Sequence, residues 1–399
     1  MWEPDAEQTP PAPAGVTDFP RPRPGTMGPP PEHEVLRRGC PIARVRAPID
    51  VPFGAWVVTR YEDVRALLAD PRLIRPEVND WPTERDGVRM TSLMELEGEE
   101  HSRLRRALGD EFSVRACRRR EPVIRALAGH LLDDFAREQR PADLIGGFVD
   151  PFAFGVMAEV SGIPREDREH VTPMAREILL SSDLDSAKIT PALQRYVVGL
   201  IDRGVRDGVL GTLTRQWRAG ELSREDVLVF GRSMVIAGFA TTAMFLSNAF
   251  LLLLSRPEAG ASLRAGAATA PAAVEELLRY LPVLNGNVLL VATEDISWRG
   301  TTIRAGEGVI PVIASADRDE AVFPEADRVD LTRDPNPHLA FGRGPHNCVG
   351  SHLARTSMVV ALEAVLGRFP DLRLGVAEDQ LPWSVEDNLK APLALPVEW

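Results

Sequence analysis

The chain has 399 residues, and its 44% hydrophobic and 26% charged content is that of an ordinary globular protein with a large core. Its net charge of −12 argues against nucleic acid as a general partner. Three scattered cysteines, Cys40, Cys117 and Cys348, argue against a disulfide framework and indicate a reducing, cytoplasmic compartment.

The sequence also speaks against a membrane location. No uninterrupted apolar run reaches the roughly eighteen residues that a membrane span needs, and the longest candidate lies around residues 249–254. The N-terminus is acidic and proline-rich, whereas a signal peptide is basic and then apolar. We therefore expect an unanchored protein without a membrane partner.

The N-terminal part of the chain is irregular. Residues 1–31 contain ten prolines and no apolar period, which predicts an extended or poorly ordered arm, followed by a single domain over 32–399. A short strand is predicted at Trp56–Thr59 and a helix at Glu62–Leu68, which stops before Pro71. Residues 72–98 lack a period, and such a long irregular stretch is usually functional or flexible.

From about residue 101 to 282 the apolar pattern is helical with short breaks. The longest predicted helix begins at the capping box of Ser223 and Asp226, ends before Pro257, and would span about 48 Å. Short strands are predicted over 287–314, then a coil, then a helix over 351–369. The fold class is therefore mainly α with a minor β portion.

Seven arginines lie in the predicted helices between residues 101 and 120. This cluster has two interpretations, a solvated helix face or a docking patch for an acidic electron donor. Its members are Arg103, Arg105, Arg106, Arg115, Arg118, Arg119 and Arg120.

The segment Phe341–Gly350 places Cys348 directly before a predicted helix, whose N-terminus stabilises a thiolate. Phe341 offers a flat apolar face beside the sulfur. Glycines let this backbone turn tightly and approach a large planar group, where a Cβ would collide; they are Gly342, Gly344 and Gly350. The combination suits a haem iron held by cysteine, whose thiolate favours O–O cleavage.

Two other interpretations of Cys348 stay open at this point. A lone cysteine is usually a small buried hydrophobe. The spacing of His346, Cys348 and His352 also suggests zinc, but structural zinc normally takes four ligands and the sequence has no CxxC partner.

In its glycines, Phe341, His346 and Cys348, the segment resembles the haem-binding loop of the cytochrome P450 family. The resemblance spans nearly everything after residue 35 and implies the P450 fold, a single haem-binding domain with a long central helix. It implies haem b with Cys348 as the iron ligand, dioxygen as co-substrate, and electrons from a ferredoxin and its reductase. It also implies a monomeric, soluble bacterial enzyme of secondary metabolism.

Glu276 and Arg279 lie three residues apart on a predicted helix, so they share a face and can pair. Such a pair is by itself an ordinary surface feature. The resemblance makes it the ExxR motif, completed by Arg328, and implies a buried network that fixes the coil before Cys348.

His101 and Arg105 stand one helical turn apart, and both can donate charge-assisted hydrogen bonds to a carboxylate. The resemblance makes them ligands of the haem propionates, together with His346. The family usually has an arginine where this chain has Leu290, so one propionate contact is missing or replaced.

Gly238 and Thr241 lie midway along the long helix, where glycine and threonine favour a local opening. The alternative is a tolerated glycine beside a core stripe. The resemblance makes this segment the oxygen-binding groove, with Thr241 assisting dioxygen activation. Ala240 replaces the acid that usually relays protons, and such changes occur among members that couple rings instead of inserting oxygen.

The resemblance also outlines a substrate pocket. Its residues on the long helix are Ser233, Ile236, Ala237, Ala240 and Thr241. A second wall contains Asn285, Asn287 and Val288, and the lid contains Met90, Leu93 and Met94. Two asparagines can recognise amide groups, although Asn-Gly-Asn is also turn chemistry. An aromatic cyclic dipeptide would fit such a pocket.

The predicted function is a haem-thiolate oxygenase that hydroxylates a C–H bond or starts radical coupling of a natural product. A haem-binding sensor or substrate carrier would keep Cys348 without needing Thr241. A non-haem metal hydrolase is the remaining rival.

Overall fold

A computed structural model describes residues 19, 27–46, 55–75, 84–85, 88–89, 93–94, 96–168, 170–172, 195–283, 288–384 and 391–399. At 84–85, 88–89, 232–233 and 235–236 it describes the backbone. The chain divides into two compact units. The first contains residues 1–77, 275–348 and 387–390, and the second contains 78–274, 349–386 and 391–399.

The helices over the described ranges are, in chain order, α1 (Glu32–Gly39), α2 (Tyr61–Leu67), α3 (Gly98–Gly109), α4 (Val114–Phe135), α5 (Asp150–Ser161), α6 (Gly208–Arg218), α7 (Arg224–Ser255), α8 (Pro257–Arg264), α9 (Ala270–Tyr280), α10 (Ile313–Ala316) and α11 (Ser351–Arg368). A π-helix covers Ile145–Val149 and a 3₁₀ turn covers Glu378–Gln380. Residues 165–168, 170–172 and 195–202 are also helical.

The strands over the same ranges are β1 (Ile42–Val45), β2 (Ala55–Val58), β3 (Leu73–Ile74), β4 (Glu84–Arg85), β5 (Val88–Arg89), β6 (Ala142–Asp143), β7 (Leu290–Ala292), β8 (Ile296–Trp298), β9 (Thr301–Ile303), β10 (Gly308–Pro311), β11 (Arg373–Leu374) and β12 (Pro396–Glu398). The predicted strand at Trp56 and the predicted helix after it are each shifted by one residue.

The first unit is built on a five-stranded sheet in the order β1-β2-β10-β7-β3. Strands β2 and β10 are parallel, and the other neighbours are antiparallel. Helix α10 packs against α1 and α2. The chain thus runs from the sheet through β10 and α10 into the coil that leads to Cys348.

Phe19 is a described residue of the arm that the sequence predicts to be extended or poorly ordered. Its side chain is buried in one apolar cluster with Leu36, Ala43 and Ile310, and its N–H donates to the carbonyl of Arg46 at 3.2 Å. A single aromatic residue in a proline-rich arm can cover one face of a sheet without any periodic pattern.

The second unit is organised around α7. The predicted capping box is present, because the Asp226 N–H donates to Ser223 Oγ at 3.0 Å and the Ser223 N–H donates to Asp226 Oδ2 at 2.7 Å. Helix α7 packs against α5, α6 and α8, and α4 packs against α11. At 32 residues, α7 is about 48 Å long, as predicted.

The expectation about membrane spans needs one correction. Within the described residues, the part of α7 from Ala237 to Ser255 is long and apolar enough to cross a membrane. Polar residues such as Ser247 interrupt this segment, so a search for an uninterrupted apolar run does not find it. Because 72% of it is buried inside the structure, it has the surroundings of a core helix.

Candidate functional site

The loop before Cys348, in the first unit, is closed by backbone hydrogen bonds. The Cys348 N–H donates to the Phe341 carbonyl at 2.9 Å, and the Gly342 N–H donates to the Leu339 carbonyl at 2.7 Å. The Asn347 side-chain amide donates to the carbonyls of Phe341 and Gly342 at 3.3 and 3.2 Å. These bonds fix the backbone that carries the thiol.

Glycine is required at two positions of this loop. Gly342 has φ +68° and Gly344 has φ +77°, where other residues are strained. A Cβ at Gly344 would also lie 2.6 Å from the Leu68 carbonyl oxygen. Gly350 has a φ of −82°, which other residues also adopt, so its backbone conformation alone does not require glycine. Gly350 lies at the N-cap of α11, and its place beside a haem stays a prediction.

The exposure of the cysteines separates two interpretations. Cys117 is buried, and burial raises the pKa of its thiol, as expected for an inert core cysteine. Cys348 is exposed. The buried-hydrophobe interpretation therefore describes Cys117 and not Cys348.

The predicted pair of Glu276 and Arg279 is present in the first unit, and both side chains are fully buried. Arg279 donates through Nε and Nη2 to the two carboxylate oxygens, each at 2.8 Å. Its Nη1 donates to the carbonyls of Asp317 and Ala326 at 2.8 Å, and Nη2 also donates to the Arg328 carbonyl at 3.2 Å. One guanidinium thus joins α9 to three points of the coil.

The third member of this network is Arg333, which corrects the prediction of Arg328. Arg333 Nε donates to Glu276 Oε2 at 3.1 Å and its side chain is 10% exposed. The Arg328 side chain is 68% exposed and pairs with Glu325. A turn lies between the two arginines, because Asp330 accepts the Thr332 N–H through its side chain and the Arg333 N–H through its carbonyl, each at 3.0 Å.

Two further groups satisfy Glu276. The Asp330 N–H donates to Oε1 at 2.9 Å, and Asn336 Nδ2 donates to Oε2 at 3.0 Å. Together with the two arginines, these donors satisfy both oxygens of the buried side chain. The sequence alone does not predict these two contacts, because Asp330 and Asn336 have no regular spacing in the coil.

The predicted propionate ligands lie in both units. In the second, His101 is buried and Arg105 is half-buried, one turn apart on α3. In the first, His346 is half-buried in the cysteine loop. Leu290 is buried in the apolar cluster beneath the sheet with Val288 and Val309, so this position serves the core. A common role of the three polar residues at one haem stays a prediction.

The predicted opening of the long helix is wrong for the backbone. Helix α7 is continuous from Arg224 to Ser255. Thr241 Oγ1 donates to the Ala237 carbonyl at 2.7 Å, and Thr242 Oγ1 donates to the Gly238 carbonyl at 3.0 Å. The hydroxyls share the carbonyls of the preceding turn while the helical hydrogen bonds persist.

The same stretch of α7 has two different faces. Phe239 is buried and makes an edge contact with Phe154, with ring centroids 5.9 Å apart. Ala237 and Gly238 are exposed, although most of the helix is buried. Small residues at this exposed stretch allow another group to approach the helix backbone closely.

The other pocket predictions have mixed outcomes. Leu93 and Val288 are buried, and Met94 is 52% exposed. Met90, Asn285 and Asn287 lie outside the described residues, as do the side chains of Ser233 and Ile236. Their roles stay predictions.

The residues present fit a haem better than a zinc ion. The first unit contains an exposed thiol on a tightly closed loop, which is the kind of single soft ligand that a haem iron takes. Across the described part of the chain, no three His, Cys, Asp or Glu side chains are grouped to hold one metal ion. The zinc interpretation therefore gains no support.

Comparisons with known proteins agree with this assignment. The family described as Cytochrome P450 matches residues 200–382. The mycinamicin IV hydroxylase/epoxidase of Micromonospora griseorubida is 38% identical over 376 residues, which cover 91% of this chain and 94% of that protein. The 20-oxo-5-O-mycaminosyltylactone 23-monooxygenase of Streptomyces fradiae is 36% identical over 386 residues, covering 94% and 90%.

Solved structures show the same likeness. The mixed-function P450 MycG superimposes with a TM-score of 0.87 at 35% identity, covering 96% of this chain and all of that one. The similarity in sequence and structure therefore covers nearly the whole chain and is not confined to the cysteine loop. The chain belongs to the cytochrome P450 family and is an oxidoreductase of that family.

Proposed function

We propose that this protein is a bacterial P450 monooxygenase that inserts oxygen into a natural-product substrate, with Cys348 as the iron ligand. The observation that carries the proposal is the exposed Cys348 thiol on a loop closed by positive-φ glycines and preceded by the buried Glu276–Arg279 network. Relatives of similar length are named as a hydroxylase/epoxidase and as a monooxygenase, which supports oxygen insertion.

The haem would be held by several of this chain's residues. Cys348 would ligate the iron, and His101, Arg105 and His346 would donate hydrogen bonds to the propionates. Phe341, Gly342 and Gly350 would lie beside the ring. Bound in this way, haem b supplies the activation of dioxygen, and the surrounding protein selects the bond that reacts.

Thr241 and Ala240 set the supply of protons on the α7 side. The Thr241 hydroxyl donates to the Ala237 carbonyl, so at rest its oxygen can accept a hydrogen bond while its own hydrogen is engaged. To donate outward, the hydroxyl must rotate away from that carbonyl. The methyl group of Ala240 has no proton to give. After Thr241 donates its proton, a water molecule or a substrate group must therefore supply another one to its oxygen.

Radical coupling is the second candidate reaction, favoured by the alanine at position 240. The proposed substrate class is an aromatic, peptide-derived compound such as a cyclic dipeptide, supported by the amides of Asn285 and Asn287 in the sequence. Product mass separates the reactions, because hydroxylation adds one oxygen, whereas coupling removes two hydrogens or forms a dimer.

An acidic ferredoxin, reduced by its reductase, is the proposed electron donor, and α4 is its proposed docking surface. Arg115, Arg118 and Arg119 are exposed on this helix. Arg103 and Arg120 of the original cluster are engaged inside the second unit, by Asp226 and Glu111. Association through exposed charges should weaken as salt is added.

The proposed location is the cytoplasm, which the scattered cysteines support. A haem-binding sensor or carrier is the alternative function. It would bind a candidate substrate yet consume no reductant and form no product when electrons and oxygen are supplied.

The test is a screen of aromatic and cyclic-dipeptide compounds for a haem spin-state shift, followed by turnover with ferredoxin and mass analysis. A product that gains one oxygen supports the proposal. A bound compound with no product and no reductant consumption supports the carrier, and a purified protein without haem contradicts both.

A further inference from the structure

Asp317 connects the buried ExxR network to the chain that leads into the cysteine loop, all within the first unit. It follows α10 directly, and its carbonyl accepts the hydrogen bond from Arg279 Nη1 at 2.8 Å. Its side chain reaches in the other direction, because Oδ1 accepts the Leu339 N–H at 2.8 Å. One residue thus contacts both parts of the support for the loop.

Leu339 is two hydrogen bonds away from the thiol. Its carbonyl accepts the Gly342 N–H at 2.7 Å, and the Phe341 carbonyl, one residue before Gly342, accepts the Cys348 N–H at 2.9 Å. A displacement of Leu339 is therefore passed to the backbone of Cys348 through short local bonds.

The carboxyl group of Asp317 is incompletely satisfied. The side chain is fully buried, and its Oδ2 has no hydrogen-bond partner among the described residues. An ionised carboxyl group that is buried with one unpaired oxygen is costly. The surroundings therefore do not hold this side chain in its ionised form. This separates it from Glu276, whose two oxygens accept several donors.

We propose that Asp317 is a positioning residue for the cysteine loop, and that the charge on its carboxyl group determines how firmly it holds Leu339. An ionised carboxylate accepts a hydrogen bond roughly twice as strong as a neutral one does. Burial itself disfavours the charge, but the Leu339 N–H lowers the pKa of Asp317, so ionisation strengthens this one bond while the carboxyl group stays buried. The Leu339 end of the loop is therefore held more tightly when Asp317 is charged.

The surroundings place this change near neutral pH. Burial raises the pKa of Asp317 to about 7, against the opposing effects of His338, the Leu339 N–H, Arg279 and Arg318. The other charged or titratable groups nearby are Tyr61, Glu275 beside His338, Glu276 beside Arg279, and Asp327 beside Arg318. The carboxyl group is neutral below this pH and ionised above it.

The test is hydrogen exchange of the peptide containing Leu339 in the purified holoprotein, measured by mass spectrometry across this pH range and corrected for the intrinsic rate. In the unchanged protein we expect protection to rise about five-fold as the pH passes 7. Asp317→Asn keeps the shape and an acceptor oxygen but carries no charge, so its protection should stay at the low-pH level.

Asp319→Asn is the matched control. It removes a carboxylate two residues later, which accepts the Tyr61 N–H at 2.9 Å and not that of Leu339, so the rise should persist. A flat profile in the unchanged protein, the full rise in Asp317→Asn, or its loss in Asp319→Asn would each overturn the proposal.

The spectrum gives a second readout, which rests on the proposed role of Cys348. The share of the reduced carbon-monoxide complex that absorbs at about 450 nm should rise over the same pH range and not in Asp317→Asn. Absence of this band from every variant would refute the iron assignment, whereas the exchange profiles would still decide the role of Asp317.

Discussion

Replacing Arg333 with alanine should destabilise the protein much more than replacing Arg328. Arg333→Ala removes one charge-assisted hydrogen bond to the buried Glu276 and the 2.9 Å bond from Nη1 to the Pro324 carbonyl. Both bonds have the charged guanidinium as donor, and at about 1.5 kcal/mol each the expected loss is about 3 kcal/mol. Glu276 keeps Arg279 as its partner, which prevents a larger loss.

This free energy can be converted to a melting temperature. An unfolding entropy of about 2.1 cal/mol/K per residue gives roughly 0.8 kcal/mol/K for the chain, and hence a decrease of about 3–4 °C. Thermal unfolding followed by circular dichroism measures it. Arg328→Ala is the matched control, since it removes an exposed guanidinium from the same coil and should leave the melting temperature unchanged. An equal or larger decrease for Arg328→Ala would refute the assignment of the network.

Three further predictions follow from single residues. Burial lowers the pKa of His33 from 6.5 to about 3, and because the unfolded chain binds the proton more readily, stability is complete above pH 6.5 and falls as the pH decreases. Between pH 6.5 and 5 the loss is about 2 kcal/mol, which His33→Phe should remove in urea unfolding curves; an unchanged acid limb would contradict this. Gly344→Ala should cost at least about 2 kcal/mol through positive φ and the clash with Leu68, whereas Gly342→Ala, whose nearest neighbouring atom would be 3.9 Å away, should cost about 1; the reverse order in unfolding experiments would refute the loop geometry. Ala240→Asp should change the amount of product formed per reductant consumed, and an unchanged ratio would show that proton delivery does not depend on this position.

Features set by short-range spacing could be predicted from the sequence. The capping box at Ser223 locates the start of α7, because both of its hydrogen bonds join residues three apart. The pairing of Glu276 with Arg279 follows from the helical period in the same way. The loop with its glycines also marked Cys348 as a functional residue, since few functions other than ligand binding or catalysis need an accessible cysteine between glycines and a helix.

Features set by the path of the coil could not be predicted. The choice between Arg328 and Arg333 depends on a turn made by Asp330, which spacing alone does not reveal. The burial of Asp317 and of Phe19 depends on which distant segment covers them. Thr241 failed as a sign of helix opening, because a hydroxyl can share a carbonyl while the helical hydrogen bonds remain.

The central claim is that Cys348 provides the iron ligand of a P450 oxidoreductase. The most direct measurement is the difference spectrum of the reduced protein with carbon monoxide, for the unchanged chain and for Cys348→Ser. We predict a band at about 450 nm in the first and its absence in the second. A protein that lacks this band, or a serine variant that keeps it, would contradict the account.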